Sequence, residues 1–340
     1  MPPTARRRVL CCYLLCAAVL WPSLALGMEL ATDGTRFTLD GKPTFLLGCS
    51  YYAGLGASDD TLRGDLDELR GHGFNWVRVW ATWSGFDHDV SAVDGDGNPR
   101  AEYVDRLKRL VDECDRRGMV VDVTLSRGDG ARGSPRLEAI GVHRRAVETI
   151  LDAIGDRKNW YIDLGNERNV KDKRFVSFED LGLLRDVVKQ QNPKRLVTAS
   201  HTGDPERREV ERYLRDVRVD FVSVHRPRDA KSPGQTAEKA KQVTGWIREI
   251  GPVVPLHYDE PFRRGYADWQ PTAADFAEDL AAARDAGAAG WCFHNGSQRG
   301  AAGERPRRSF DLSEHGLMEQ LDEQERSFLA TLRPSEEPRR

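Results

Sequence analysis

Two glutamates in this chain follow short apolar runs in the same manner. Gly165-Asn166-Glu167 comes directly behind Tyr161-Ile162-Asp163-Leu164, and Glu260 closes His257-Tyr258-Asp259-Glu260 behind Val253-Val254-Pro255-Leu256. Arg78 interrupts the apolar stretch Val77-Arg78-Val79-Trp80, and a buried arginine needs an anionic partner. His201, His225 and His294 stand at or just beyond other apolar runs. A protonated carboxylic acid paired with an ionised carboxylate suits displacement at carbon: the acid protonates a departing oxygen while the carboxylate attacks. Metal chemistry is the rival for any set of His, Asp and Glu. Metal sites of barrel hydrolases usually include a close pair of ligands on one strand. The chain contains neither His-x-His nor His-x-x-x-His and no Cys-x-x-Cys, so no metal or other cofactor is expected.

Such groups must be positioned by repeated elements. Apolar runs fit buried strands at Thr44–Cys49, Trp76–Trp80, Val120–Leu125, Trp160–Leu164, Leu196–Ala199, Phe221–Val224, Val253–Leu256 and Gly290–Phe293. Several are apolar at nearly every position, as parallel strands covered on both faces require. Amphipathic stretches alternate with them. In Ala101–Arg117, Tyr103, Leu107, Leu110, Val111 and Cys114 share one face and Gly118 ends the helix. Asp59 or Asp60 is positioned to cap a helix through Leu69. Others are expected at Val142–Ile154, Phe178–Gln190, Pro205–Val217, Thr236–Ile250, Ala273–Ala286 and Glu314–Leu332. Eight strands interleaved with eight helices predict an α/β fold of the (β/α)8 barrel type, as a single domain. A doubly wound sheet is the structural rival, but Gly48-Cys49-Ser50-Tyr51-Tyr52 is not the glycine-rich turn it normally carries. Asp40-Gly41 within Phe37–Pro43 predicts a short β-ribbon closing the barrel bottom.

In a barrel, functional groups gather at the C-terminal ends of the strands. Glu167 and Glu260, ending strands four and seven, would then face one another across the mouth. Glycoside hydrolysis uses that arrangement. From about Phe37 to the last helix the sequence resembles the clan of retaining (β/α)8 glycosidases that includes the family-5-like cellulases and mannanases, most specifically in Leu164-Gly165-Asn166-Glu167. The resemblance implies that Glu167 is the general acid/base, Glu260 the nucleophile, and Asn166 the residue binding the sugar 2-hydroxyl. It implies that Arg78 supports the nucleophile and that Trp291 forms a sugar platform. The clan's strand-six tyrosine is absent from Val224-His225-Arg226-Pro227, which leaves His225 or Tyr258 to contact Glu260. His201 and His294 are candidate hydroxyl-binding residues. Tyr51, Tyr52, Trp80, Trp83 and Trp269 fall near the same face and suit either stacking on sugars or packing.

The expected activity is retaining hydrolysis of β-linked glycosides of a poly- or oligosaccharide, the alternative being a catalytically inactive carbohydrate-binding barrel. Charged residues make up 31% of the 340-residue chain, yet the net charge is −3, which gives no reason to expect nucleic acid or an anionic membrane as partner. Arg6-Arg7-Arg8, the apolar run Val9–Leu20 and Ala25-Leu26-Gly27 read as a signal peptide over residues 1–27. The chain is thus expected to be exported, cleaved near Gly27, free of stable membrane insertion and monomeric, with its barrel over 28–333 and a polar tail over 334–340. If Trp291 points into the mouth, Cys292 faces the helices together with Cys49, and a bridge between strands eight and one is conceivable.

Overall fold

The computed structural model describes residues 27–128, 136–297 and 306–332. The expected signal peptide, apart from Gly27, and the polar tail lie outside them. Eight parallel strand segments follow in chain order: β1 (Leu46–Ser50), β2 (Trp76–Trp80), β3 (Val120–Thr124), β4 (Trp160–Asp163), β5 (Val197–Thr198 and His201–Thr202), β6 (Val222–His225), β7 (Leu256–Tyr258) and β8 (Gly290–Phe293). Each pairs with its neighbour, and β8 pairs with β1. The first half of β5 pairs with β4 and its second half with β6, so one chain segment joins both edges and the curled sheet closes. Closure in this way leaves the barrel without a free edge strand. β5 is interrupted at Ser200, whose amide donates to the Asp163 carboxylate at 3.1 Å.

Helices follow the strands: α1 (Asp59–Gly71), α2 (Ala101–Arg116), α3 (Ile140–Ile154), α4 (Phe178–Gln191), α5 (Arg207–Arg212, continuing as a π turn over Tyr213–Val217), α6 (Ser232–Ile250), α7 (Ala273–Asp285) and α8 (Glu323–Thr331). Ser58, not Asp59 or Asp60, caps α1, accepting from the Thr61 amide at 3.1 Å. The two aspartates lie in the first turn, where they complement the helix dipole. The long helix expected over Glu314–Leu332 is broken. Asp322 caps α8, and the same carboxylate pairs with Arg264 at 2.5 Å and Arg308 at 3.0 Å. β7 starts three residues later than expected: Val253 is 44% exposed, and the ladder with β6 begins at Leu256.

Alternation along β2 sorts the layers. Val77 and Val79 join the core between sheet and helices, whereas Trp76 and Arg78 face the barrel axis. The barrel bottom is a cluster of rings. Phe37, from a three-stranded antiparallel sheet (Leu30–Asp33, Arg36–Leu39, Lys42–Thr44), packs edge-on against Phe221 at 5.0 Å and the His257 ring at 5.6 Å. Trp76 meets the same imidazole at 4.7 Å. Burying Phe37 stabilises this plug by about 1.5–3 kcal/mol. The rings fit only beside glycine: a Cβ on Gly48 would lie 1.9 Å from the Trp76 ring, and one on Gly290 2.4 Å from His257 Nδ1. With the floor filled, the strands can change to polar residues toward their C-terminal ends. Among the described residues, no helix is long and apolar enough to cross a membrane.

Candidate active site

Above the ring cluster, Arg78 is fully buried and organises the polar layer. Its Nε donates to Thr124 Oγ1 at 3.1 Å and lies 3.3 Å from Asp122 Oδ2. Nη2 donates to Asp163 Oδ2 at 2.8 Å and to Asn166 Oδ1 at 3.1 Å, and Nη1 donates to Glu260 Oε2 at 2.8 Å. One guanidinium thus ties β3, β4 and the end of β7 together. Its fork geometry suits several carboxylates at once, which a lysine could not match.

Asp259 and Glu260 both belong to this cluster. Asp259 lies lower, 3.6 Å from His225 Nε2, while Glu260 stands above it. Besides Arg78, the Glu260 carboxylate accepts from Tyr52 Oη and Arg228 Nη2, and its Oε1 lies 3.4 Å from His294 Nε2. Burial pushes this carboxyl up, but His225, His294, Arg228 and Arg78 outweigh it and hold it well below the usual carboxylate range. Burial likewise opposes protonation of His225, yet Glu260 and Asp259 win and raise it to about 9.

Glu167 follows β4 with φ at +47°, in the left-handed region, which costs a residue with a Cβ about 1–2 kcal/mol. Its amide is fixed by Ser200 Oγ at 3.1 Å. Oε1 accepts from Thr202 at 3.1 Å and from Arg228 Nη2 at 3.3 Å and lies 3.4 Å from His225 Nδ1, while Oε2 accepts from Arg174. One oxygen of Glu167, one of Glu260 and one nitrogen of His225 lie within 4.8 Å of one another. Burial would raise the Glu167 carboxyl, but the His225 hydrogen bond and the Arg228 charge bring it down to about 2. These nearby cations outweigh the repulsion from Glu260.

Several expected site residues lie elsewhere. Trp291 is a correction: it points away from the axis, fully buried against Phe328, with its indole N–H on Asp279 Oδ2 of α7 at 2.6 Å. It cannot be a platform at the mouth. Tyr258, one residue out of phase with Asp259, also faces the helices, its ring 6.0 Å from the Arg226 guanidinium carbon. The tyrosine on Glu260 is Tyr52, just after β1. His201 turns to Tyr213 Oη at 3.2 Å and Glu209 at 3.3 Å, and its successor Thr202 reaches Glu167 instead. Because Trp291 faces outward, Cys292 faces the barrel interior and Cys49 the helical layer; both, with Cys114, are free thiols.

Arg78, His225 and His294 do reach the glutamates, and Asn166 joins them through Arg78. Arg228, Arg174 and Arg263 were not singled out from the sequence, although Arg228 follows β6 by three residues and Arg263 follows Glu260 by three. Among the described residues, two groups of possible ligands are close enough to share a cation, Glu167–His225–Glu260 and Asp122–Asp163–Asp259. Guanidinium groups already supply positive charge to each, Arg228 to the first and Arg78 to the second.

No protein-family model matches this sequence, and no curated protein matches it. Solved structures do. A glycoside hydrolase family 5 mannosidase from Rhizomucor miehei is 15% identical, with a TM-score of 0.60 covering 90% of this chain and 98% of that one. The endo-1,4-β-D-mannanase of Thermotoga petrophila is 16% identical, with a TM-score of 0.54 over 80% of this chain and 94% of its own. A candidate glycoside hydrolase from Bacteroides vulgatus is 17% identical, with a TM-score of 0.64 over 86% of this chain, which spans only 58% of that protein. At such identities the likeness establishes the fold: a curled parallel α/β sheet of the kind found in these glycoside hydrolases.

Proposed function

We propose that this chain is a retaining glycoside hydrolase acting on β-linked glycosides, with Glu260 as nucleophile and Glu167 as general acid/base. The observation that carries the reading is that one carboxylate oxygen of Glu167 and one of Glu260 lie within 4.8 Å of each other at the ends of β4 and β7. Retaining glycosidases place their carboxyl groups about 5–5.5 Å apart, whereas inverting ones leave roughly 6.5–9.5 Å for a water. The mannosidase and mannanases that share the fold make a polysaccharide or oligosaccharide the natural substrate class. On this reading the chain is a single barrel over 28–333, exported after cleavage near Gly27 and monomeric.

The geometry suggests how the steps divide. Ionised Glu260, held by Arg78 and Tyr52, attacks the anomeric carbon and forms a glycosyl ester. Glu167 gives its proton to the departing oxygen, then takes one from the water that hydrolyses the ester. Asn166, its Oδ1 fixed by Arg78, is left with its amide N–H groups to donate to the sugar 2-hydroxyl. A sugar entering between the carboxylates must displace Arg228. Losing that cation while facing the Glu260 charge raises the Glu167 pKa toward the value an acid requires.

Azide rescue tests the assignment. With an activated aryl glycoside, azide restores turnover of Glu167→Ala and gives a product of retained configuration. In Glu260→Ala it attacks from the vacated face and gives the inverted product. The opposite stereochemistry would swap the roles. A second reading, a carbohydrate-binding barrel without catalysis, draws on the contact of Arg228 with both glutamates. It is preferred if wild type hydrolyses no glycoside and neither variant responds to azide.

A further inference from the structure

We propose that the sugar bound between Glu167 and Glu260 is itself acidic, a uronic acid carrying a carboxylate, and that Arg263 together with Arg228 receives that carboxylate. The location rests on the glycosidase reading; the charge of the ligand rests on the arginines.

Arg78 is not available for this task, because Asp122, Asp163, Asp259 and Glu260 surround it. Arg263 differs. It is 3% exposed, and its Nη1 lies 2.7 Å from His294 Nε2 and 3.8 Å from Glu260 Oε1. Its Nε and Nη2, the edge that grips a carboxylate with two parallel hydrogen bonds, have no hydrogen-bond partner among the described residues. A buried guanidinium with unused donors is costly to hold without a ligand to complete it. Burial and the adjacent Arg228 charge bring its pKa down to about 10, a sign of a cation short of anions.

Arg228 shares the wall. Its guanidinium carbon and that of Arg263 each lie 4.7 Å from the centre of the Tyr266 ring, and Tyr266 is 37% exposed at the mouth. Arg228 now spends its charge on Glu260 and Glu167. A neutral sugar entering between those carboxylates would strand Arg228 and leave Arg263 as unsatisfied as before. An acidic sugar would bring a replacement anion for both. A carboxylate matches the planar fork of an arginine better than a neutral hydroxymethyl group at the same ring position. Charge-assisted hydrogen bonds of this kind separate the two by roughly 10- to 100-fold in affinity.

Titration calorimetry with hydrolysis-resistant methyl 1-thio-β-glycosides tests this on the intact protein. The probes are the glucuronide, mannuronide and galacturonide, the three matching neutral hexosides, and the 6-sulfated glucoside. At least one uronide is expected to bind 10-fold or more tightly than its neutral counterpart, with that preference falling below about 3-fold in Arg263→Gln and partly returning in Arg263→Lys. Equal binding of uronides and neutral sugars by wild type overturns the proposal whatever the variants do. So does binding of no probe, or preference for the sulfate over every uronide. Aryl-glycoside assays in parallel keep the two readings apart. Uronide-selective binding without hydrolysis retains the acidic ligand and removes the enzyme; hydrolysis of neutral glycosides without uronide preference does the reverse.

Discussion

Replacing Arg228 by leucine removes a guanidinium that contacts both glutamates, and the consequence for Glu167 can be worked through. The Nη2 to Oε1 distance is 3.3 Å, and with an effective dielectric of about 20 two unit charges at that separation attract by about 5 kcal/mol, or roughly 3.7 pKa units. Water admitted to the vacated space screens the rest of the site and reduces the effect. Glu260 loses the same partner, so its charge repels that of Glu167 more effectively, which adds to it. A rise of about 2–3 units is expected, carrying the Glu167 carboxyl from about 2 into the range where ordinary glutamates titrate. The sign is fixed: removing a cation can only favour the protonated form. Carbon-13 NMR titration of protein labelled at glutamate carboxyls reads this without any substrate, with Glu167→Gln identifying the resonance. If wild-type Glu167 titrates near the ordinary value of about 4.3 and Arg228→Leu leaves it there, Arg228 does not control this carboxyl and the account of how the acid is armed fails.

Two further expectations concern the frame. Burial raises the Asp279 carboxyl to about 6 despite hydrogen bonds from Thr236 and Trp291. The folded state therefore holds this proton more tightly than the unfolded chain, near 3.9, does, and stability falls by about 2 kcal/mol as pH rises from 4 to 6. Urea denaturation of Asp279→Asn across that window lacks this part of the slope; an unchanged slope refutes the assignment. For the thiols, a chain starting at Met28 and denatured without reductant titrates three with a thiol reagent and reacts slowly while folded, because Cys49, Cys114 and Cys292 are all buried. A count of one reveals a bridge.

Much of the frame was legible because the barrel repeats one simple demand. Strands covered on both faces must be apolar along most of their length, and each of the eight runs read from the sequence carries or adjoins a strand. What a continuous apolar run cannot disclose is which side chain points inward, since nothing alternates. In Gly290-Trp291-Cys292-Phe293 a shift of one residue exchanges the two faces entirely. The informative residue there is the glycine. Gly290 faces the axis because the His257 ring occupies the place of its Cβ. That sends Trp291 outward to Asp279 and Cys292 inward, and it separates Cys292 from Cys49. Gly48 carries the same message beside Trp76.

The site was legible where a charge interrupts or ends an apolar run, as Arg78, Glu167 and Glu260 do, since burial of a charge must be justified by a partner. It was not legible where a loop supplies the partner. Arg174, Arg228 and Arg263 sit in polar segments whose residue types are ordinary at a surface, and only the fold draws them onto the two glutamates. Those loop residues also make this site differ from a bare pair of carboxylates. Four guanidinium groups and His225 crowd the two glutamates and hold both carboxyls low. Acid catalysis needs one of them to recover a proton. The strands fix the distance between the carboxylates, whereas on the proposed mechanism the loop arginines decide whether Glu167 can act as an acid, and a ligand that draws Arg228 away is the event that would permit it.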